Sequence, residues 1–129
     1  MDFEEALTME LKTISQVENR VYPLSAPEKT KSPYIAYTSP EGLRVNTVSN
    51  GYLPDKSVEG EINIIAPRYS TMKQITSQVI DLLVSMSQRE IGTGGPFINE
   101  MIYEKPVELY EAQVNLYRCL IDYKAHFKE

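Results

Sequence analysis

The stretch Arg20–Tyr37, R-V-Y-P-L-S-A-P-E-K-T-K-S-P-Y-I-A-Y, decides the reading of the chain, because it sets three prolines and three tyrosines between a helical pattern and the first strand-like run. Each proline locks its own φ at about −65° and biases the residue before it toward extended geometry. Tyr22, Ala26 and Ser32 are therefore expected to be extended, and the segment to run as an ordered crossover. It contains no catalytic set.

On the N-terminal side, Phe3, Ala6, Leu7, Leu11, Ile14 and Val17 recur at three-to-four-residue intervals, with Glu4, Glu5 and Lys12 off that stripe. This spacing predicts an amphipathic helix from Asp2 to about Glu18. Asp2, Glu4 and Glu5 sit in its first turn, where the helix dipole favours negative charge. On the C-terminal side, Tyr34–Thr38 is short and aromatic, and Ser39-Pro40-Glu41-Gly42 reads as a turn. Leu43–Ser49 alternates as a half-exposed strand, and Asn50-Gly51 supplies another turn signal. The following loop, Tyr52 to Val58, carries apolar Tyr52 and Leu53 ahead of Pro54-Asp55-Lys56; Glu59–Ala66, with Ile62, Ile64 and Ile65, is the strongest strand by residue type.

Pro67 closes that strand. Ser70 or Thr71 is placed to cap a second helix with the stripe Met72, Ile75, Val79, Leu82, Leu83 and Met86. Gly92-Thr93-Gly94-Gly95-Pro96 ends the helical region, Phe97–Tyr103 reads as a fourth strand, and a long final strand is expected from about Ala112 to Ala125. The order helix, three strands, helix, two strands predicts an α+β domain: a mostly antiparallel sheet of about five strands with both helices packed on it.

Composition narrows the function. At 129 residues the length prior gives a single domain spanning 1–129, large enough to bury a core unaided. A formal net charge of −5 argues against a grip on nucleic acid, which needs clustered Lys and Arg. No apolar run approaches the ~20 residues that span a bilayer, and the acidic start Met1-Asp2-Phe3-Glu4-Glu5 is unlike a signal peptide, so an intracellular protein with no membrane partner is expected. Cys119 alone permits no internal disulfide; it falls on one face of an alternating run, Asn115 through Phe127, as a core thiol.

Chemistry is scarce. His126 is the only histidine and lies near the C-terminus, where fraying is expected, so a Ser-His-Asp or Cys-His set has little to stand on. One Cys and one His cannot build a zinc site, and the carboxylates are spread over solvated faces. Gly92–Pro96 follows a helix instead of leading from a strand into one, which aims no helix N-terminus at a phosphate; a flexible linker is the plain reading. Neither an enzyme nor a cofactor or metal site is expected. The nine tyrosines suit core-edge packing or a protein interface equally.

A helix followed by R-V-Y-P-L-x-A-P and P-Y-I-x-Y, then G-E-I-N-I-I-A leading through P-R-Y-S-T-M into a second helix, resembles the tail-completion proteins of long-tailed bacteriophages, also called tail terminators or head-to-tail joining proteins. Arg20, Val21, Tyr22, Pro23, Pro27, Pro33, Tyr34, Ile35, Tyr37, Gly60, Ile62 and Ile64 carry the resemblance, which covers Asp2 to about Met86. It implies a homo-oligomeric ring, usually hexameric, that caps the tail tube and docks it to the connector or stopper under the head. DNA would pass through the lumen without specific binding. The implied location is the virion tail or neck, after assembly in the host cytoplasm, and the implied partners are the tail-tube protein and the head connector.

Within that picture Asn50–Gly60 is the candidate contact loop, with Tyr52, Leu53, Asp55 and Lys56 as its interface residues, although tucking of Tyr52 and Leu53 onto the sheet reads as well. The crossover from Arg20 to Pro33 is expected to be architectural, holding the first helix to the sheet. Two other readings stay open. One is a neck adaptor acting one ring nearer the capsid; the other is a small-ligand-binding or enzymatic α+β domain using Gly92–Pro96, which predicts a concave pocket with converging polar groups.

Overall fold

The computed structural model describes residues 1–128, which run α1 (Phe3–Leu11), β1 (Val21–Pro23), β2 (Tyr34–Tyr37), β3 (Leu43–Thr47), β4 (Gly51–Ala66), α2 (Tyr69–Met86), β5 (Arg89–Glu90), β6 (Phe97–Tyr103), β7 (Val107–Glu111) and β8 (Leu116–Lys128). The α+β class with two helices and a largely antiparallel sheet is as the sequence predicts. The strand count is not: eight strands replace the expected five. The extra ones are short or proline-bounded, and non-local pairing creates them.

The spine of the sheet is the antiparallel pair β4–β8, in register from Asp55↔Lys128 to Ala66↔Tyr117. Each spine strand carries two shorter neighbours on its outer edge. On β4 these are β3, beside Gly51–Ser57, and β2, beside Ile62–Ile65. On β8 they are β6, beside Tyr123–Phe127, and β7, beside Leu116–Leu120. β1 lies parallel to β2, pairing Val21 with Ile35, and β5 pairs the start of β6.

Alternation along the spine separates the faces. Val58, Ile62 and Ile64 of β4 stand beside Ala125, Ile121 and Cys119 of β8, all buried, and join the helix stripes in one core. That core takes Phe3, Ala6, Leu7 and Leu11 from α1 and Met72, Ile75, Val79, Leu83 and Met86 from α2. Each fully buried leucine contributes about 1.5–3 kcal/mol of transfer free energy. The opposite face is mostly polar, as an antiparallel sheet covered on one side allows.

The first helix is shorter than its stripe predicts. It starts with a capping box, in which the Glu5 amide donates to Asp2 Oδ1 at 2.8 Å and the Asp2 amide donates to Glu5 Oε1 at 3.4 Å, and it stops at Leu11. A turn and a 3₁₀ segment, Ser15–Val17, then keep Ile14 and Val17 buried, so the apolar spacing outlasts the helix. Glu18 and Asn19, at φ 48° and 68°, turn the chain into β1. The second helix begins at Tyr69 with Arg68 in the N-cap position and no side-chain cap; Ser70 and Thr71 lie inside its first turn instead of capping it.

The crossover meets α1 through β1, whose Val21 is buried in the same core as the helix. Tyr22 and Tyr34 stand on the face away from the helices, half-buried, with ring centroids 6.4 Å apart in an edge-to-face arrangement. Of the three tyrosines of this stretch, the one that meets α1 is Tyr37, whose hydroxyl accepts from Thr8 Oγ1 at 2.7 Å and donates to Glu4 Oε2 at 3.2 Å. Phe3 adds a stacked contact with Phe127 at 4.8 Å. Arg20 closes the crossover itself, its Nε donating to the Pro33 carbonyl at 3.0 Å.

Candidate functional site

The expected contact loop is a strand. Tyr52, Leu53, Asp55 and Lys56 all belong to β4, which starts at Gly51 directly after the Val48–Asn50 turn, so Asn50-Gly51 is the bend of a β3–β4 hairpin. Gly51 has φ +67°, a conformation glycine adopts without the strain a side chain would add. The sequence signal against a strand here is Pro54. The pairing absorbs it: between Arg44↔Lys56 and Asn46↔Tyr52, β3 has one residue and β4 has three, so Pro54 sits in a bulge where no ladder hydrogen bond is asked of its missing N–H.

Of the candidate residues, Asp55 and Lys56 do not converge. Asp55 and Lys56 alternate to opposite faces. Lys56 stands beside Phe127 in the register and pairs with Glu41 of the preceding turn. Asp55 lines a shallow groove with Val45, Glu100 and His126. Leu53 is half-buried, and Tyr52 stands opposite Asn46 in the ladder. What the hairpin presents instead is a projecting arm. Beyond Asp55 it is paired with β3 alone, and Leu43, Val45 and Val48 are exposed on it, Val48 fully.

A second exposed apolar corner lies across the spine, on β7 and the turn after it. Val107, Leu109, Tyr110 and Val114 are each about half exposed. Behind them the rings of Tyr110, Tyr117 and Tyr69 form a chain, with centroids 4.8 and 5.8 Å apart, and the Lys73 ammonium lies 5.5 Å from the Tyr69 ring. Lys73 also pairs with Glu108 at 2.6 Å. Sequence reading did not resolve β7, because the run from Pro106 has no glycine to mark the turn before β8; Asn115, at φ 54°, makes that turn.

Gly92–Pro96 is no linker. It is the tight turn of the β5–β6 hairpin, and its backbone groups are engaged: the Gly92 amide donates to Glu10 Oε2 at 2.9 Å, the Met1 amine donates to the Gly94 carbonyl at 3.2 Å, and the Ile91 amide donates to the Pro96 carbonyl at 3.2 Å. An open cleft of about 660 Å³ runs beside it, lined by Phe3, Val58, Phe97 and Phe127, with the charged groups of Lys56 and Glu41 paired to each other.

His126 is paired within β8, between Ser57 and Glu100. Cys119 is buried on the opposite face, and burial pushes its thiol up from the ordinary value. The two cannot form a nucleophile–base pair. Among the described residues, no three or more His, Cys, Asp or Glu side chains gather as a metal site, and no helix is long and apolar enough to cross a membrane.

No family model matches the chain, and no curated protein matches it in sequence. Its fold is that of solved structures. A chain in the virion of a native gene transfer agent particle superposes with a TM-score of 0.72 at 13% identity, over 98% of this chain and 95% of that one. A second solved chain gives a TM-score of 0.60 at 11% identity, over 98% and 91%. The likeness therefore takes in β6, β7 and β8, beyond the region whose residues resemble tail-completion proteins.

Proposed function

We propose that this chain is a structural protein of a phage-like virion: a ring, six subunits in the usual form of the family it resembles, that caps the tail tube and joins it to the head connector. The observation that carries the reading is the full-length fold similarity to a chain of a gene transfer agent virion, 98% of this chain against 95% of that one. The R-V-Y-P and G-E-I-N-I-I-A segments narrow it toward tail completion. They lie on the same side of the sheet, in the edge strand β1 and in β4, joined through β2; Arg20 clasps Pro33, and Ile62 and Ile64 are fully buried.

The role requires no reaction, cofactor or metal. Its partners are further copies of the chain, the tail-tube protein and the connector. DNA passes the lumen ungripped, in keeping with the net charge of −5.

The test is light scattering coupled to size exclusion, on the protein alone and after mixing with tail-tube protein of the same source. A ring, or a mass increase on adding tube, supports the reading. A monomer that ignores the tube and binds connector or portal instead would place the protein one ring nearer the capsid.

A further inference from the structure

Asn50 is the one asparagine of this chain that is followed by glycine, and the fold sets the pair at the tip of the β3–β4 arm. Asn50 ends the Val48–Asn50 turn and Gly51 opens β4, both of them exposed. The turn holds the Asn50 backbone, whose amide donates to Thr47 Oγ1 at 3.0 Å. Among the described residues, its side-chain amide makes no hydrogen bond.

An exposed asparagine side chain is self-reactive when the next peptide nitrogen can reach its carbonyl carbon. A side chain on the next residue obstructs that approach, and glycine has none. The space around Gly51 is open as well, since a Cβ built there would meet nothing within 4 Å. The other asparagines lack these conditions. Asn46, Asn63 and Asn99 lie inside β3, β4 and β6, ahead of Thr47, Ile64 and Glu100. Asn19 precedes Arg20, which is fixed on the Pro33 carbonyl, and Asn115 precedes Leu116, with its Oδ1 accepting from the Tyr110 hydroxyl at 3.0 Å.

We propose that Asn50 is a site of spontaneous deamidation, with water as the co-reactant. The Gly51 amide gives its proton to solvent, and its nitrogen attacks Asn50 Cγ. The N–Cγ bond forms, the Cγ–Nδ2 bond breaks, and Nδ2 leaves as ammonia, taking a proton from water. Water then opens the resulting succinimide. Opening at Cγ gives aspartate; opening at the main-chain carbonyl gives isoaspartate, whose backbone runs through Cβ. Either product puts a negative charge into Val45–Pro54, ten residues that otherwise carry none, two positions from the fully exposed Val48. The tip of the arm thus changes its electrostatics with age, as a charge-adding modification would. The inference stands on the chemistry of the turn and is independent of the ring reading.

It is tested by incubating the purified full chain in mildly acidic and mildly alkaline buffer, then mapping its peptides by mass spectrometry and methylating isoaspartyl groups enzymatically. The same chain unfolded in guanidinium chloride is the reference. The expected result is conversion at Asn50 ahead of every other asparagine, to both products, and faster at the higher pH, where more of the Gly51 amide is deprotonated. Conversion should be lost in Asn50→Gln, which keeps an amide but sets it one carbon too far away for the same ring. An Asn50 that stays intact in the folded chain while it converts in the unfolded one would overturn the inference, because the hairpin would then hold the amide away from Gly51. So would prior conversion of any other asparagine in the folded chain.

Discussion

Arg89 holds Glu10 with both of its terminal nitrogens, Nη2 to Oε1 at 2.7 Å and Nη1 to Oε2 at 3.1 Å, across 79 residues of sequence. Glu10 Oε2 also accepts from the Gly92 amide at 2.9 Å. One carboxylate thus fastens α1 to the β5–β6 hairpin, and a bidentate guanidinium is the donor best shaped for it. The Arg89 hydrogen bond is the main reason the Glu10 carboxyl lies below its usual range, against the opposing pull of burial. Glu10→Gln should cost about 1–2 kcal/mol in a urea melt at neutral pH, allowing for screening at the partly exposed Arg89.

The same pair gives a signed pH dependence. The folded carboxyl titrates below its unfolded value of about 4.3, so its contribution is complete above that value and is lost as pH falls through the folded one. The stability gap between wild type and Glu10→Gln should therefore narrow on acidification below about pH 4. A gap that stays constant would show that the variant loses packing instead of charge pairing.

Gly60 is required by close approach. A Cβ there would run into the Thr38 carbonyl oxygen and lie 2.7 Å from the Tyr123 hydroxyl, which itself donates to that carbonyl at 2.8 Å. Gly60→Ala should cost about 1–3 kcal/mol, as overpacking does. Thermal denaturation of Gly60→Ala beside Gly42→Ala, a second crowded glycine, measures it; an unchanged melting temperature for both would contradict the contact geometry.

Tyr22 and Tyr34 support each other on the open face of the sheet and leave α1 untouched. Being half-buried, each should cost less than the 3–5 kcal/mol of a fully buried aromatic when replaced by alanine, about 1–2 kcal/mol. Their edge-to-face contact should appear as a coupling of about 0.5–1.5 kcal/mol in a double-mutant cycle. Zero coupling would mean that each packs independently on the sheet.

What the sequence discloses about this fold follows from the range of the interactions involved. The α2 stripe and the odd-numbered face of β8 are legible, because a one-sided core imposes a period of 3.6 on a helix and of 2 on a strand. β1, β5 and β7 are not, since three residues ending in Pro23, two residues at Arg89–Glu90, and five behind Pro106 become strands only through partners far along the chain. The candidate site suffered the same way. Asn50-Gly51 marks a true hairpin, yet Pro54-Asp55-Lys56 has loop composition, and only the bulge opposite Val45 makes room for it in β4. Tyr52 and Leu53 read as loop residues, whereas the exposed apolar residues described on that hairpin include Leu43, Val45 and Val48.

Cys119 reports on opening of the core. It is buried between the sheet and α2, and burial raises its pKa, so the thiolate needed for alkylation is suppressed in the folded state. The raised value also means that the thiol's contribution to stability is present below the unfolded value of about 8.5 and declines as pH rises past it. Labelling by a maleimide at neutral pH should follow the unfolding equilibrium, with rates that climb through the urea transition. Rapid labelling in buffer would show an opening of the β8–α2 contact well short of global unfolding.

Val48 is the cleanest place to separate folding from assembly. It is fully exposed at the tip of the β3–β4 arm, so Val48→Asp removes no buried contact and should leave stability within about 0.5 kcal/mol of wild type. Leu53→Asp is a poorer probe, because Leu53 is half-buried and a charge there disturbs the strand itself. If the arm is a contact surface in the assembled particle, Val48→Asp should melt like wild type yet fail to form rings and fail to complete tails in a head–tail joining assay. A variant that melts normally and joins heads to tails at the wild-type rate would remove the arm tip from the interface.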